Sequence, residues 1–203
     1  MSDEAPSTPA PDDPFVLLGV PAQPWLDDKL LISRYDALSR ETHPDAARRI
    51  GDFEELNEAF ETLSSPVRRL KALLAHFGEA PAARTGVVDD DMVERFMELT
   101  EFLERTDKLI ERYQATTSQV ARALLAPGLE ESKRKVAVFL DGLDEELAAQ
   151  TESLQKLNPQ FNPDGPPPAA PTFATLRTLL QTSAFLTKWR EELRKREFSL
   201  ENA

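Results

Sequence analysis

The chain has 203 residues, of which 40% are hydrophobic and 30% are charged, which is enough to bury the core of one or two small domains. Its formal net charge of −12 makes it a poor ligand for nucleic acid or for an anionic membrane, because binding would add charge repulsion. The absence of cysteine excludes disulfides, thiolate metal sites and a cysteine nucleophile.

The N-terminal sequence carries no sign of a targeting segment. No basic residue precedes Lys29, and no apolar run reaches the roughly 18 residues that a membrane crossing requires. We therefore expect a soluble, cytoplasmic protein without membrane or nucleic-acid partners.

Residues 1–13 contain three prolines and four acids, and they predict a disordered tail. Apolar residues at 15–18 follow and end at Gly19. Three amphipathic helices are then indicated by apolar residues that recur every three or four positions: Leu31, Tyr35 and Leu38; Phe53, Leu56, Phe60 and Leu63; and Val67, Leu70, Leu74 and Phe77.

Residues 79–90 predict a linker, after which the character changes to long, charged helices. Apolar positions predict a helix over 93–113, a short segment that ends at Pro127–Gly128, a second long helix over 136–157 and a last helix over 176–193. Residues 158–172 hold six prolines and predict an irregular loop. No stretch alternates as a strand would. The predicted fold is all-α, with a four-helix unit over 14–78 and a three-helix bundle over 91–198.

The tripeptide His43-Pro44-Asp45 lies between the second and third predicted helices. Pro44 fixes φ and prevents the helix from continuing, so His43 and Asp45 project from a stiff loop. A carboxylate at Asp45 can accept a bidentate bond from a partner's arginine. The alternative is a plain turn in which Pro44 stops one helix and Asp45 caps the next.

The helix before this tripeptide carries Lys29, Arg34 and Arg40, although the chain as a whole is acidic. Such a local basic face is a candidate docking surface for an acidic partner. The alternative is a solvated helix face without a partner.

This arrangement resembles a J-domain, the module with which co-chaperones stimulate the ATPase of a DnaK-type chaperone. The resemblance rests on a short first helix, a charged second helix that ends in His-Pro-Asp, and the third helix FEELNEAFETLSSP. Residues 56–78 further resemble the stretch that joins the J-domain to the C-terminal domain in HscB, the iron–sulfur-assembly co-chaperone. Residues 94–112 and 183–195 resemble the first and last helices of the HscB bundle.

The resemblance implies a co-chaperone that activates an HscA/DnaK-type ATPase and delivers an IscU-like scaffold, and that is not itself an enzyme. It assigns the ATPase-stimulating signature to His43, Pro44 and Asp45, and it places Arg34 and Arg40 on the chaperone-facing helix. It assigns the apolar scaffold-binding patch to Phe96, Met97 and Phe185.

Two points stay open at this stage. Phe96, Met97 and Phe185 form either an exposed binding patch or part of the bundle core, because a stripe at helical spacing fits both. The function could instead be that of a general J-domain co-chaperone for another client, or of a helical adaptor that does not stimulate an ATPase.

His43 and His76 fall in different elements and nucleotide-binding motifs are absent, so we expect neither a metal nor a cofactor.

Overall fold

The structure is a computed structural model that describes residues 12–41, 50–80, 90–163 and 165–203. Within these ranges the chain forms seven α-helices and one 3-10 turn, and it contains no strand. The helices are α1 (Pro14–Leu18), α2 (Asp28–Glu41), α3 (Ile50–Ser64), α4 (Pro66–His76), α5 (Asp90–Ala115), α6 (Gln119–Leu157) and α7 (Ala170–Glu201). The predicted all-α fold is confirmed. None of the helices in the described ranges has both the length and the apolar character that crossing a membrane requires.

The first helix begins at a side-chain cap. One carboxylate oxygen of Asp13 accepts hydrogen bonds from the backbone N–H groups of Phe15, at 2.9 Å, and Val16, at 3.4 Å. The helix ends at Gly19, which adopts a left-handed conformation with φ of 61° that suits glycine. Asp13 is buried, so the ordered region includes a residue that the composition assigned to the tail.

The chain divides into two compact units, and the division does not follow chain order. The first unit combines the described residues of 12–80 with Gln150–Ser183, and the second combines those of 90–149 with Ala184–Ala203. Helices α6 and α7 each contribute residues to both units. The predicted bundle over 91–198 differs from this grouping because Gln150–Ser183 belongs to the first unit, and sequence periodicity does not report such contacts between distant segments.

The core of the first unit joins the N-terminal helices to the later segment. Leu63, Leu70 and Leu74 are fully buried, and they pack in one cluster with Leu154 and Leu176. The 3-10 turn at Asn158–Phe161 adds a buried Phe161 to this cluster. Part of the segment predicted as an irregular loop is therefore ordered by burial of an aromatic side chain.

The second unit corrects the prediction of a helix end at Pro127–Gly128, because α6 continues through both residues. A Cβ atom at Gly128 would lie 3.2 Å from a side-chain carbon of Leu109, so this glycine permits a close approach of α6 to α5. Leu129 and Val136 lie in the core immediately afterwards. Their burial contributes about 1.5–3 kcal/mol each, enough to offset the roughly 3 kcal/mol that an interior proline costs.

Candidate functional site

The tripeptide His43-Pro44-Asp45 lies outside the described residues. The structure describes the helices on either side, of which α2 ends at Glu41 and α3 begins at Ile50. The role of the three residues therefore stays a prediction, and the described geometry concerns the helical hairpin that carries them.

Helices α2 and α3 pack against each other through buried side chains and one polar pair. The Tyr35 hydroxyl donates a hydrogen bond to Oδ1 of Asn57, and the Tyr35 ring lies 4.6 Å from the Phe60 ring between centroids. Leu31 of α2 and Leu56 of α3 are buried in the same cluster. These contacts fix the two helices that enter and leave the predicted trigger loop.

The outer face of α2 presents the predicted basic residues to solvent. Arg34 and Arg40 are both exposed, and Lys29 and Arg40 line a shallow groove of 440 Å³ together with Ile32 and Asp36. Arg34 does not line this groove, because six residues turn an α-helix through about 600°, which places Arg34 roughly 120° from Arg40 around the axis. The structure thus groups Arg40 with Lys29 and leaves Arg34 on an adjacent face.

The three predicted patch residues lie on α5 and α7 in the second unit, and we call them the aromatic patch. Phe96 and Met97 are exposed by 46% and 60%, and Phe185 is half-buried. The Phe96 ring stacks on Trp189 with 6.0 Å between centroids and an interplanar angle of 21°. The Phe185 ring lies at the same 6.0 Å from Trp189. Phe96 and Met97 are therefore surface residues, while their role in binding stays a prediction.

Trp189 connects the two aromatic residues of the patch. It is only 5% exposed, and its Nε1 atom has no hydrogen-bond partner among the described residues. From the sequence this residue belongs to the apolar stripe of the last helix. The signal that links it to the patch is its spacing of four residues from Phe185, which places both side chains on one face of α7.

Two ion pairs formed by sequence neighbours of Phe96 and Trp189 join α5 and α7 to α6. Arg95 of α5 pairs with Glu146, and Nε of Arg190 lies 2.8 Å from a carboxylate oxygen of Asp144. Both pairs are partly exposed, so each contributes roughly 1 kcal/mol or less.

The described residues contain no group of three or more histidine, cysteine or acidic side chains that could hold a metal ion. The described histidine, His76, has a structural partner, because its Nδ1 lies 2.7 Å from Oδ2 of the buried Asp13. This contact ties the end of α4 to the cap of α1.

No protein-family model matches the chain. Among curated proteins, it is 34% identical over 100 residues to the co-chaperone protein HscB homolog of Vibrio atlanticus (strain LGP32), in an alignment that covers 44% of this chain and 58% of that protein. It is 36% identical over 72 residues to the corresponding homolog of Cupriavidus taiwanensis, which covers 31% of this chain and 41% of that protein. The chain therefore spans about half the length of the curated relatives it matches.

Among solved structures, the chaperone HscB from Vibrio cholerae superposes with a TM-score of 0.55 over 93% of this chain and 99% of that chain. The sequence identity is 24%, so this likeness bears on the fold alone. It agrees with the all-α architecture described above.

Proposed function

We propose that this chain, which is a relative of the HscB-type co-chaperones, stimulates the ATPase of an HscA/DnaK-type chaperone and delivers an IscU-like iron–sulfur scaffold to it. The resemblance predicted from the sequence is confirmed by the curated homologs and the shared fold. The observation that carries the proposal is the 34% identity over 100 residues to a curated co-chaperone. The proposed stimulation rests on the predicted trigger loop, and the proposed delivery rests on the aromatic patch.

The proposed trigger is the loop that contains His43, Pro44 and Asp45, between α2 and α3 in the sequence. Asp45 would accept a bidentate hydrogen bond from an arginine of the chaperone and disturb a polar network that restrains hydrolysis. The exposed Arg34 and Arg40 support this proposal, because they offer positive charge to an acidic chaperone surface. The hydrolytic chemistry stays in the chaperone, so this chain acts by contact and is not an enzyme.

The proposed scaffold-binding surface is the aromatic patch of the second unit. Methionine and aromatic side chains suit adaptable protein-binding surfaces, because they bury large apolar area and fill irregular gaps. Phe96 and Met97 expose such area beside the half-buried Phe185. A partner that covers the patch would remove this apolar surface from water, which favours binding.

The decisive experiment is a steady-state ATPase measurement on an HscA-type chaperone with the full chain added, with and without an IscU-type scaffold. The substitution Asp45→Asn should abolish stimulation, because an amide offers one acceptor oxygen where the carboxylate offers two. The helical circular dichroism should stay unchanged, because the altered side chain lies outside the described helices. The matched control Asp141→Asn makes the same chemical change at an exposed position of α6 and should stimulate like the unsubstituted chain.

Two outcomes would contradict the proposal. Stimulation that is unaltered by Asp45→Asn would remove the role of the loop. An unsubstituted chain that binds the scaffold but never stimulates the ATPase would favour the helical adaptor instead.

A further inference from the structure

The Trp189 side chain carries a buried polar group that makes no hydrogen bond within the described part of the chain. The side chain is 5% exposed, and its indole Nε1 is buried without a hydrogen-bond partner in the described part of the chain. Buried donors in folded proteins are normally paired, because an unpaired donor gives up water and receives nothing in return. A phenylalanine at this position would supply aromatic packing without that cost.

The indole that carries the unpaired donor packs against both aromatic residues of the patch. Phe96 stacks on the Trp189 indole at 6.0 Å, and its own side chain is 46% exposed. Phe185 contacts the same indole and is half-buried. Partly exposed phenylalanines can change rotamer without disturbing a core, so the packing around the Trp189 indole can rearrange when another molecule binds.

We propose that the Trp189 indole N–H donates a hydrogen bond to a backbone carbonyl of the protein that binds the aromatic patch, once the aromatic side chains packed around the indole have rearranged. This inference rests on the proposed function of the patch and assigns it a specificity-determining residue. A neutral carbonyl fits better than a carboxylate, because burying an unpaired negative charge against apolar rings costs far more than burying a carbonyl. Trp189 thus selects for a partner segment that presents a free main-chain acceptor.

The first test measures the affinity of the full chain for a purified IscU-type scaffold by isothermal titration calorimetry. The substitution Trp189→Phe keeps an aromatic ring and removes the donor, so affinity should fall about five- to tenfold, the worth of one hydrogen bond. The thermal unfolding midpoint should be unchanged or raised, because the unpaired buried donor is gone. The matched control Trp25→Phe makes the same change in the first unit and should bind the scaffold normally.

A second readout separates hydrogen bonding from packing. In the Trp25→Phe background, Trp189 gives the one indole N–H resonance of the chain, since the sequence has two tryptophans. Formation of the hydrogen bond should move this resonance to lower field when the scaffold is added. An affinity loss in Trp189→Phe without such a shift would mean that the ring acts through packing, which overturns the inference.

The remaining outcomes distinguish the inference from the function it rests on. If Trp189→Phe binds like the unsubstituted chain while Phe96→Ala binds weakly, the patch stands as a binding surface and the indole donor does not contribute. If the unsubstituted chain fails to bind the scaffold, the proposed function of the patch and the inference fall together.

Discussion

Arg69 is a buried charge that holds three segments of the first unit together. It is 4% exposed, its Nε donates to the Pro24 carbonyl at 3.0 Å, and its Nη1 donates to the Leu63 carbonyl at 2.8 Å. Burial lowers the pKa of Arg69, and the negative charge of Asp28 opposes that effect. The guanidinium stays protonated, because arginine is effectively always charged in proteins.

We expect Arg69→Met to lower the free energy of unfolding by about 1–3 kcal/mol, because it leaves two buried carbonyls without donors. The neighbouring Arg68→Met is the matched control, since Arg68 is exposed and pairs with an exposed Glu61 at 3.3 Å. That change should cost less than about 1 kcal/mol. Urea unfolding of the two variants measures the difference, and equal stabilities would show that the two carbonyl contacts contribute nothing net.

Single residues also mark the limit of what the sequence can predict. The local helix signals around Pro66 and Gly78 are read correctly, because capping depends on neighbouring residues. The burial of Asp13 is not readable from an acidic, proline-rich stretch, because it depends on His76, which lies 63 positions away. The unpaired state of the Trp189 indole is likewise a property of packing, which periodicity does not report.

At the scale of elements, α7 is joined to α5 by a bidentate ion pair. The Arg196 guanidinium contacts both carboxylate oxygens of Asp107, at 3.2 and 2.9 Å, and it also pairs with Glu192 one turn earlier. The hydrogen bond with Asp107 raises the pKa of Arg196 despite partial burial. Hydrogen bonds from Lys195 and Arg196 lower the pKa of Glu192.

A lowered folded-state pKa means that Glu192 stabilises the protein above the ordinary carboxyl pKa of about 4.3, and that this contribution is lost as pH falls through the lower folded value. We therefore expect Glu192→Gln to lower the thermal midpoint at pH 7, and we expect this difference to shrink steadily as the pH falls below the ordinary carboxyl pKa of about 4.3. Glu191→Gln, at an exposed neighbouring position, serves as the control. Thermal unfolding over a series of pH values from 7 downward is the measurement, and a pH-independent difference would contradict the assignment.

At this scale the presence of the helices could be predicted from the sequence, but the positions of several helix ends could not. The apolar stripes around Leu56 and Leu99 fall on helices, as their spacing indicates. Two prolines that were predicted to lie at a helix end or in a loop lie within helices instead. Pro127 does not end α6, because core packing on the following turns outweighs its local cost. Pro171 lies in the first turn of α7, where the missing N–H costs little, so this helix starts within the predicted loop.

At the scale of the whole molecule, the first unit is assembled from segments far apart in the chain. Six of its buried core side chains come from the later segment: Leu154, Leu157, Phe161, Phe173, Leu176 and Leu180. The Asn158 side chain also pairs with both backbone groups of Trp25, accepting at 2.9 Å and donating at 2.8 Å. Composition and periodicity predict each segment as a helix or a turn, but neither pattern specifies which distant segments share a core.

We expect a fragment of residues 1–85 to be far less stable than the same residues in the full chain. Burial of a large apolar side chain contributes about 1.5–3 kcal/mol, so the six missing side chains contribute as much as the 5–15 kcal/mol that typically stabilises a domain. The fragment should bind a hydrophobic dye and unfold without a sharp transition. The full chain should not bind the dye and should unfold in a sharp transition. Cooperative unfolding of the fragment near the midpoint of the full chain would contradict this expectation.

The contribution of Gln150–Ser183 to the first unit has a consequence during synthesis. A ribosome produces the N-terminal helices first, yet the side chains that complete their core are translated roughly a hundred codons later. Leucines of the N-terminal helices that are buried in the finished core therefore stay exposed until the part of α7 that packs against them has emerged from the exit tunnel. The predicted trigger loop between α2 and α3 would gain the full support of its two helices only after this later segment has been made, which would delay the proposed contact with a chaperone.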